Sequence, residues 1–300
     1  MSASAAERWA KARSFHHSLF PARRIAAERR RSVSVCVPAR ECAQTIGEVV
    51  RELVSLREQG AIDELVVVDA ASADGTAALA ERAGATVWQE AELLPSYGRV
   101  LGKGDAMWRA SAALEGELVC FVDADTEGFS AHFVSGLLGP LVCEPHASEV
   151  SFVKAFYRRP LAAEREGGGG GGGRVNHLAA RPALALFYPQ LRGVRQPLAG
   201  EVAVRRELLQ ELPFATGYGV EVAMLIDAWR AVGLEGMAQV DLEEHRNRHQ
   251  PLSALEPMAR AVLATIARRM EREGRLLADV TDAPLERPPL ASLSVARAAR

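Results

Sequence analysis

Apolar residues follow two periods along the first half of the chain. In "SVSVCVP" (32–38) they alternate and are β-branched, which predicts a strand ended by Pro38. "TIGEVVRELVSLREQG" (45–60) places Ile46, Val49, Val50, Leu53 and Leu56 at helical intervals, and Gly60 stops the run. "DELVVVDA" (63–70) is a short, continuous apolar run, the pattern of a parallel strand covered on both faces. Helices are then predicted over 72–85, which opens with capping residues, and over 103–116. "ELVCFVDAD" (117–125) reads as another buried strand. This strand–helix alternation predicts an α/β fold built on a doubly wound, mostly parallel sheet.

The second half is less regular. "SFVKAFYRRP" (151–160) reads as a strand leaving a basic, aromatic end. Seven consecutive glycines, 167–173, suit no regular element. Helix-like stretches follow at 200–212, 219–232 and 253–273, and residues 276–300, with several prolines and arginines, are expected to be weakly ordered. The organisation expected is an N-terminal helical extension (1–31), a ligand-binding half (32–150), a second half (151–275) and a tail (276–300).

Composition adds little that is specific. The 300 residues carry a formal net charge of −2, so nothing global points to a nucleic acid or a membrane surface. Four cysteines, Cys36, Cys42, Cys120 and Cys143, form no C-x-x-C pair, and two of them sit inside oily strands. A reducing, cytoplasmic setting is expected. No apolar stretch reaches the roughly 18 to 20 residues that span a bilayer, and the N-terminus lacks a signal peptide's apolar core.

Three predicted strands end in polar residues: Pro38-Ala39-Arg40-Glu41, Asp69-Ala70-Ala71-Ser72 and Asp123-Ala124-Asp125. In open α/β sheets that carboxyl rim is where ligands sit. Asp123 and Asp125 share a side if the strand persists, and two carboxylates so placed repel unless a cation or donors lie near. A hard divalent ion fits oxygen ligands of this kind. The plainer reading is that Asp125 caps a helix while Asp123 bonds backbone amides.

The order Asp69, Lys103, Asp123-x-Asp125 lifts the first reading. The run "VSVCVPAR … ELVVVDAASADGT … GKGDAMWRA … CFVDAD" resembles family 2-like GT-A glycosyltransferases. With "VKAFYRRP", "GGGRVNHLAARP", "QPLAGEVAVRRELL", "PFATGYGVEVAMLIDAW" and "AQVDLEEHRNRHQPL", it resembles the glucosyl-3-phosphoglycerate synthase / mannosyl-3-phosphoglycerate synthase family from about Ser32 to Leu252. The resemblance implies a GT-A fold with a smaller acceptor-binding C-terminal lobe. It also implies a retaining enzyme moving a hexose from UDP-glucose or GDP-mannose to the 2-hydroxyl of 3-phosphoglycerate, and a homodimer.

The resemblance further implies residue roles. Asp125 and His245 would hold Mg²⁺ or Mn²⁺, the imidazole making Mn²⁺ plausible. Pro38, Ala39, Glu41, Asp69, Ala70, Lys103, Asp123 and Ala124 would meet the nucleotide-sugar. Gly173, Arg174, Asn176, Tyr218 and Asn247 would meet the acceptor, with the glycine tract as a loop that orders around it. Glu221, three residues after Tyr218 and so on the same helix side, would orient the acceptor hydroxyl or the sugar, or form only an ion pair. The Leu198-Ala199-Gly200 backbone would lie near the acceptor hydroxyl. Alone, His245 would read as a hydrogen-bonded surface histidine and Arg174 as solvated.

The chain departs from the family at Glu41, where asparagine is usual, at Cys42, where glutamate is usual, and at Ala70, where a serine touches the nucleotide. A lost hydroxyl removes one hydrogen bond, about 0.5 to 1.5 kcal/mol, so relaxed donor choice is expected. A sugar-1-phosphate nucleotidyltransferase would need a Gly-rich basic signature that "VPARECAQT" lacks. A haloacid-dehalogenase-type phosphatase would place its threonine two positions after the second aspartate, whereas Thr126 follows directly. A non-catalytic nucleotide-sugar sensor would lack metal ligands or the acceptor motif, and both are present.

Overall fold

The computed structural model describes residues 4–159, 173–246, 251–276 and 284–293. The strands are β1 (Ser14–His16), β2 (Val33–Ala39), β3 (Glu64–Asp69), β4 (Thr86–Gln89), β5 (Leu118–Phe121), β6 (Phe152–Arg158), β7 (Val202–Arg205), β8 (Phe214–Ala215), β9 (Met237–Glu244) and β10 (Glu286–Arg287). The helices are α1 (Ala5–Ala12), α2 (Ala22–Glu28), α3 (Ile46–Glu58), α4 (Thr76–Ala83), α5 (Lys103–Ala113) and α6 (His132–Val142) in the first half. After it come α7 (Arg181–Phe187), α8 (Arg206–Glu211), α9 (Val220–Val232) and α10 (Leu252–Arg272).

Eight strands form one sheet in the order β1-β9-β6-β7-β5-β2-β3-β4. Every pairing is parallel except those of β7, which runs against both β5 and β6. Period-two alternation deals the side chains to opposite faces. Val35, Val37, Leu65, Val67 and Cys120 join α3 and α6 in one apolar layer; Cys36, Val66, Val68, Val119 and Phe121 join α5, α9 and α10 in the other. Both faces are thus covered, which is why these strands read as unbroken oily runs.

Chain order reverses direction between β2 and β5, whose outer neighbours lead to β3 on one side and β7 on the other. That switch point leaves a crevice beyond the strand ends, where ligands bind in such sheets. Because β7 alone is inverted, it is the residues preceding it, Gly200 and Glu201, that reach this carboxyl rim.

Three expectations need correction. The stretch 200–212 is not one helix: Val202, Ala203 and Val204 are strand, and only α8 is helical. Apolar residues at 202, 204, 208 and 209 mimic a helical stripe, yet β-branched alternation decides the first four. The N-terminal extension is not purely helical, since Ser14–His16 pairs in parallel with β9 at the sheet edge. Nor is the tail loose throughout. β10 pairs with β8, the Trp108 indole donates to Pro288 O at 2.9 Å, and the Arg287 guanidinium makes two bonds to Asp105, at 2.7 and 2.9 Å. Asp105 is fully buried, and burial opposes its charge, but Arg287, the Leu101 amide and Arg109 hold its carboxyl below the ordinary range. No helix among the described residues is long and apolar enough to cross a membrane.

Residues 284–293 therefore brace α5, the helix that begins with Lys103. Gly104 lets that helix sit close: a Cβ there would fall 1.9 Å from Ala215 O. Arg287→Ala removes two charge-assisted hydrogen bonds from a buried carboxylate that keeps only Arg109 and the Leu101 amide, and should cost on the order of 2 kcal/mol of stability. Urea unfolding would measure it, and a loss under about 1 kcal/mol would show that the tail does not brace the core.

Candidate active site

A cleft of about 690 Å³ opens along the carboxyl rim. β2 brings Pro38 and Ala39 to its wall, Ala70 follows β3, and Asp123, Ala124 and Asp125 follow β5. Lys103 enters from the first turn of α5, and Tyr218 and Glu221 from the start of α9. Gly173, Arg174, Asn176 and Leu198 line the opposite wall, where Asn176 Oδ1 accepts from the Leu198 amide at 3.4 Å. The fold thus gathers into one cavity residues from Pro38 to Val262, which lie far apart in the chain.

Not every expected residue lines it. Asp69 is buried beside the cleft, where Oδ2 accepts from Ser72 N at 3.0 Å and Gln89 Nε2 at 3.2 Å. Its Oδ1 is buried without a hydrogen-bond partner. Glu41 stitches two rim loops together: its amide donates to Ser72 Oγ and its Oε1 accepts from Ala73 N, both at 2.9 Å. Asn247 and glycines 167–172 lie outside the described residues.

Lys103 is the electrostatic hinge of the rim. Its Nζ lies 2.6 Å from Asp123 Oδ1 and 3.1 Å from Glu221 Oε1. Burial works against the ammonium charge, but Asp123 and Glu221 outweigh it and raise its pKa well above the usual lysine range. Glu221 therefore does form an ion pair, and that pair points its carboxylate into the cleft. Gly200 makes the arrangement possible, because a Cβ there would fall 2.4 Å from Asp123 Oδ2.

The sequence paired Asp125 with His245. The structure adds Asp123 and Glu201: one ligand atom from each of Asp123, Glu201 and His245 lies within 4.8 Å of the others. His245 Nε2 is 2.9 Å from Glu201 Oε1 and 3.0 Å from Thr126 Oγ1. Asp125 is exposed in the cleft and outside that set, although its charge is felt by the group. Desolvation first, then repulsion from Asp123, raises its carboxyl pKa. Burial opposes the charge on Glu201 too, but His245 and Arg159 hold it ionised, far below the usual range.

A divalent cation fits this donor set. Glu201 Oε1 is buried and meets only His245 Nε2, and His245 Nδ1 is buried with no hydrogen-bond partner. Carboxylates with one imidazole suit Mg²⁺ or Mn²⁺. Around them, Tyr157 stacks on the His245 ring at 4.5 Å and donates its hydroxyl to Glu201 Oε2 at 2.8 Å. Arg159 lies over the Tyr157 ring, 5.3 Å from its centroid. Lys154, fully buried, donates to Ala199 O at 2.6 Å, and burial pulls its pKa down to about 8.

Sequence reasoning missed Glu201, Tyr157, Arg159 and Lys154. The available signal for Glu201 was the alternation of Val202 and Val204, which marks a strand start and hence a rim position. For Arg159 it was the basic, aromatic end of β6.

Comparison with known proteins agrees with this geometry. Residues 34–158 match the family described as Glycosyl transferase family 2. The structure of mannosyl-3-phosphoglycerate synthase from Rubrobacter xylanophilus superposes with a TM-score of 0.86 at 43% identity, covering 96% of this chain and 97% of that one. Sheet, rim and cleft are those of a GT-A glycosyltransferase. A glucosyl-3-phosphoglycerate synthase of Petrotoga mobilis is 40% identical over 270 residues, 88% of this chain and 82% of that protein. The Mycobacterium tuberculosis glucosyl-3-phosphoglycerate synthase, solved with Mn²⁺, UDP-glucose and phosphoglyceric acid, gives a TM-score of 0.79 at 38% identity, covering 91% and 95% of the two chains. The chain belongs to the glucosyl-3-phosphoglycerate synthase / mannosyl-3-phosphoglycerate synthase family.

Gly200→Ala should displace the Asp123 carboxylate from Lys103 while leaving the sheet intact. A shift of about 1 Å at a reacting centre costs roughly 100-fold in rate. Steady-state turnover and a thermal melt on the same sample test this; near-native turnover would show that Asp123 needs no such close approach.

Proposed function

We propose that the chain is a retaining, metal-dependent hexosyltransferase that moves glucose or mannose from a nucleotide-diphosphate sugar to the 2-hydroxyl of 3-phosphoglycerate. The observation that carries the reading is the continuous rim of Asp123, Glu201 and His245, joined through Lys103 to Glu221 at the acceptor wall. A divalent ion bound there would offset negative charge on the departing diphosphate.

The chain's own groups do the rest. Lys103 fixes Asp123 and Glu221 on either side of the space where the sugar would lie. An acceptor with a phosphate and a carboxylate needs convergent cations, and Arg159 and Arg174 line the cleft. Lys154 holds the carbonyl of Ala199, which fixes the Leu198–Gly200 backbone beside the acceptor. In the transfer, the bond from the anomeric carbon to the diphosphate breaks and one to the acceptor oxygen forms on the same face. The hydroxyl proton passes to a diphosphate oxygen. Glu221 is engaged by Lys103, which favours an orienting role for it over that of a nucleophile.

Relaxed donor choice rests on Ala70, whose methyl lines the cleft where a serine hydroxyl is usual. A homodimer would cover Leu178, Leu186 and Leu263, exposed at 77%, 74% and 46% on neighbouring elements that include α7 and α10. Four free cysteines, three of them buried, suit a reducing cytoplasm.

Purified protein with Mg²⁺ or Mn²⁺ should convert both UDP-glucose and GDP-mannose in the presence of 3-phosphoglycerate, and NMR of the product should show the donor's anomeric configuration. Strict use of UDP-glucose would end the relaxed-donor reading, and inversion would end the same-face mechanism. Arg174→Ala should raise the acceptor KM roughly 10- to 100-fold, the worth of one charge-assisted hydrogen bond, and spare the donor KM. Equal changes in both would remove Arg174 from the acceptor. Light scattering should give twice the chain mass, and a monomer would leave the apolar face without a second copy.

A further inference from the structure

A second group of metal-type side chains lies outside the cleft, where the edge strand β1 meets β9. His16 ends β1, His17 opens the 3-10 turn His17–Leu19, and Glu243 stands near the end of β9. The change from strand to turn breaks the side-chain alternation, so two adjacent imidazoles face the same way, with ring centroids 4.5 Å apart. Both Nε2 atoms lie 3.3 Å from one oxygen, Glu243 Oε1, and the three ligand atoms all fall within 4.8 Å of one another.

We propose that His16, His17 and Glu243 form a binding site for a zinc-type divalent cation, distinct from the rim cluster. The distances fit. A tetrahedral ion with bonds of about 2.0 to 2.1 Å separates its donors by about 3.3 to 3.4 Å, which is the spacing seen for both nitrogen–oxygen pairs. His17 Nε2 is buried and makes no hydrogen bond although Glu243 Oε1 is close, so its donor axis does not aim at that oxygen. An ion held among the three donors would give that buried nitrogen a partner.

The surroundings suit the role. His16 Nδ1 accepts from the Ser18 amide at 3.3 Å and lies 2.8 Å from Ser18 Oγ; with Nε2 ligated, the proton moves to Nδ1 and Ser18 Oγ accepts it in place of the amide contact. The His132 ring lies tilted against His17, centroids 4.2 Å apart, and its Nε2 is 3.2 Å from Leu242 O, so it packs against the site and is not a ligand. Glu243 itself adopts a left-handed backbone (φ 66°), with its amide donating to Asp241 Oδ1 at 2.9 Å. Such strain in a glutamate persists where surrounding contacts enforce it, and it turns the carboxylate toward β1. The fourth position is left for water, and the exposure of His16 (44%) and Glu243 (57%) gives solvent and ion access. A bound ion would cross-link the N-terminal edge strand to β9.

The test is to strip the full-length chain with chelator, dialyse it against Zn²⁺ and count bound metal by mass spectrometry. His16→Ala and Glu243→Gln should each lower the count by one equivalent relative to the native chain, while His245→Ala retains that equivalent. Cobalt loading should give the intense visible bands of a tetrahedral site, absent in His16→Ala. His16→Ala should leave hexosyl transfer unchanged and make the Zn²⁺-induced rise in melting temperature smaller than in the native chain, whereas His245→Ala should keep the part due to this site. A zinc count equal in the native chain and both variants would overturn the proposal. So would tetrahedral cobalt bands that survive both substitutions.

Discussion

Negative charge is concentrated on one dry edge of this molecule, and the architecture around it is an answer to that load. Asp123, Asp125 and Glu221 line one cleft, and Glu201, beside Asp123 and without access to solvent, lies just behind them. Carboxylates so placed drive one another's protonation unless cations are fixed beside them. Two are: Lys103 spans Asp123 and Glu221, and Arg159 lies over the tyrosine that bonds Glu201, while the His245 ring meets Glu201 as a polar partner. Each comes from a different element, so the charge balance holds only when α5, β6, β9 and α9 are all in register. A rim balanced in this way is geometrically fixed, the state in which it can receive a metal and a diphosphate without rebuilding itself.

The inverted strand β7 is what makes the balance possible. Were it parallel to its neighbours, Arg205 and Arg206 would stand at the rim and Glu201 at the far edge. Reversal presents the acid end, and Gly200, lacking a Cβ, lets Asp123 pack directly against it. Lys154 and Tyr157, on the adjacent β6, then reach across to Ala199 and Glu201. One change of strand direction therefore sets the position of a carboxylate, a backbone segment and a hydroxyl together.

Strands β3 and β5 were legible in the sequence because each is covered on both faces and reads as an apolar run, and β2 through its β-branched residues, whereas the partly exposed edge strand β4 was not. The rim residues that follow those runs, such as Asp69 and Asp123, were legible for the same reason: a charge directly after an oily strand has few places to go. Glu201 was not. It precedes its strand, and that strand is only four residues long, with apolar positions that merge into the stripe of α8. The edge strand β1 was hidden because a three-residue segment, Ser14–His16, carries too little pattern to register against helical flanks. Packing of the tail was hidden as well, since Arg287 in a proline-rich stretch looks like any solvated cation until its buried partner, 182 residues away, is known. Sequence periodicity reports burial along one element, and these interactions depend on pairs of elements far apart in the chain.

The clasp of residues 284–293 over α5 has a bearing on biosynthesis. The ribosome emits the helix that begins with Lys103 long before it emits Arg287, and until then Asp105 is without its distal cation and Trp108 without its carbonyl. An unfinished polypeptide would hold its lysine in a loosely seated helix. Copies lacking residues 284–293 would therefore seat Lys103, and the carboxylates it spans, less firmly.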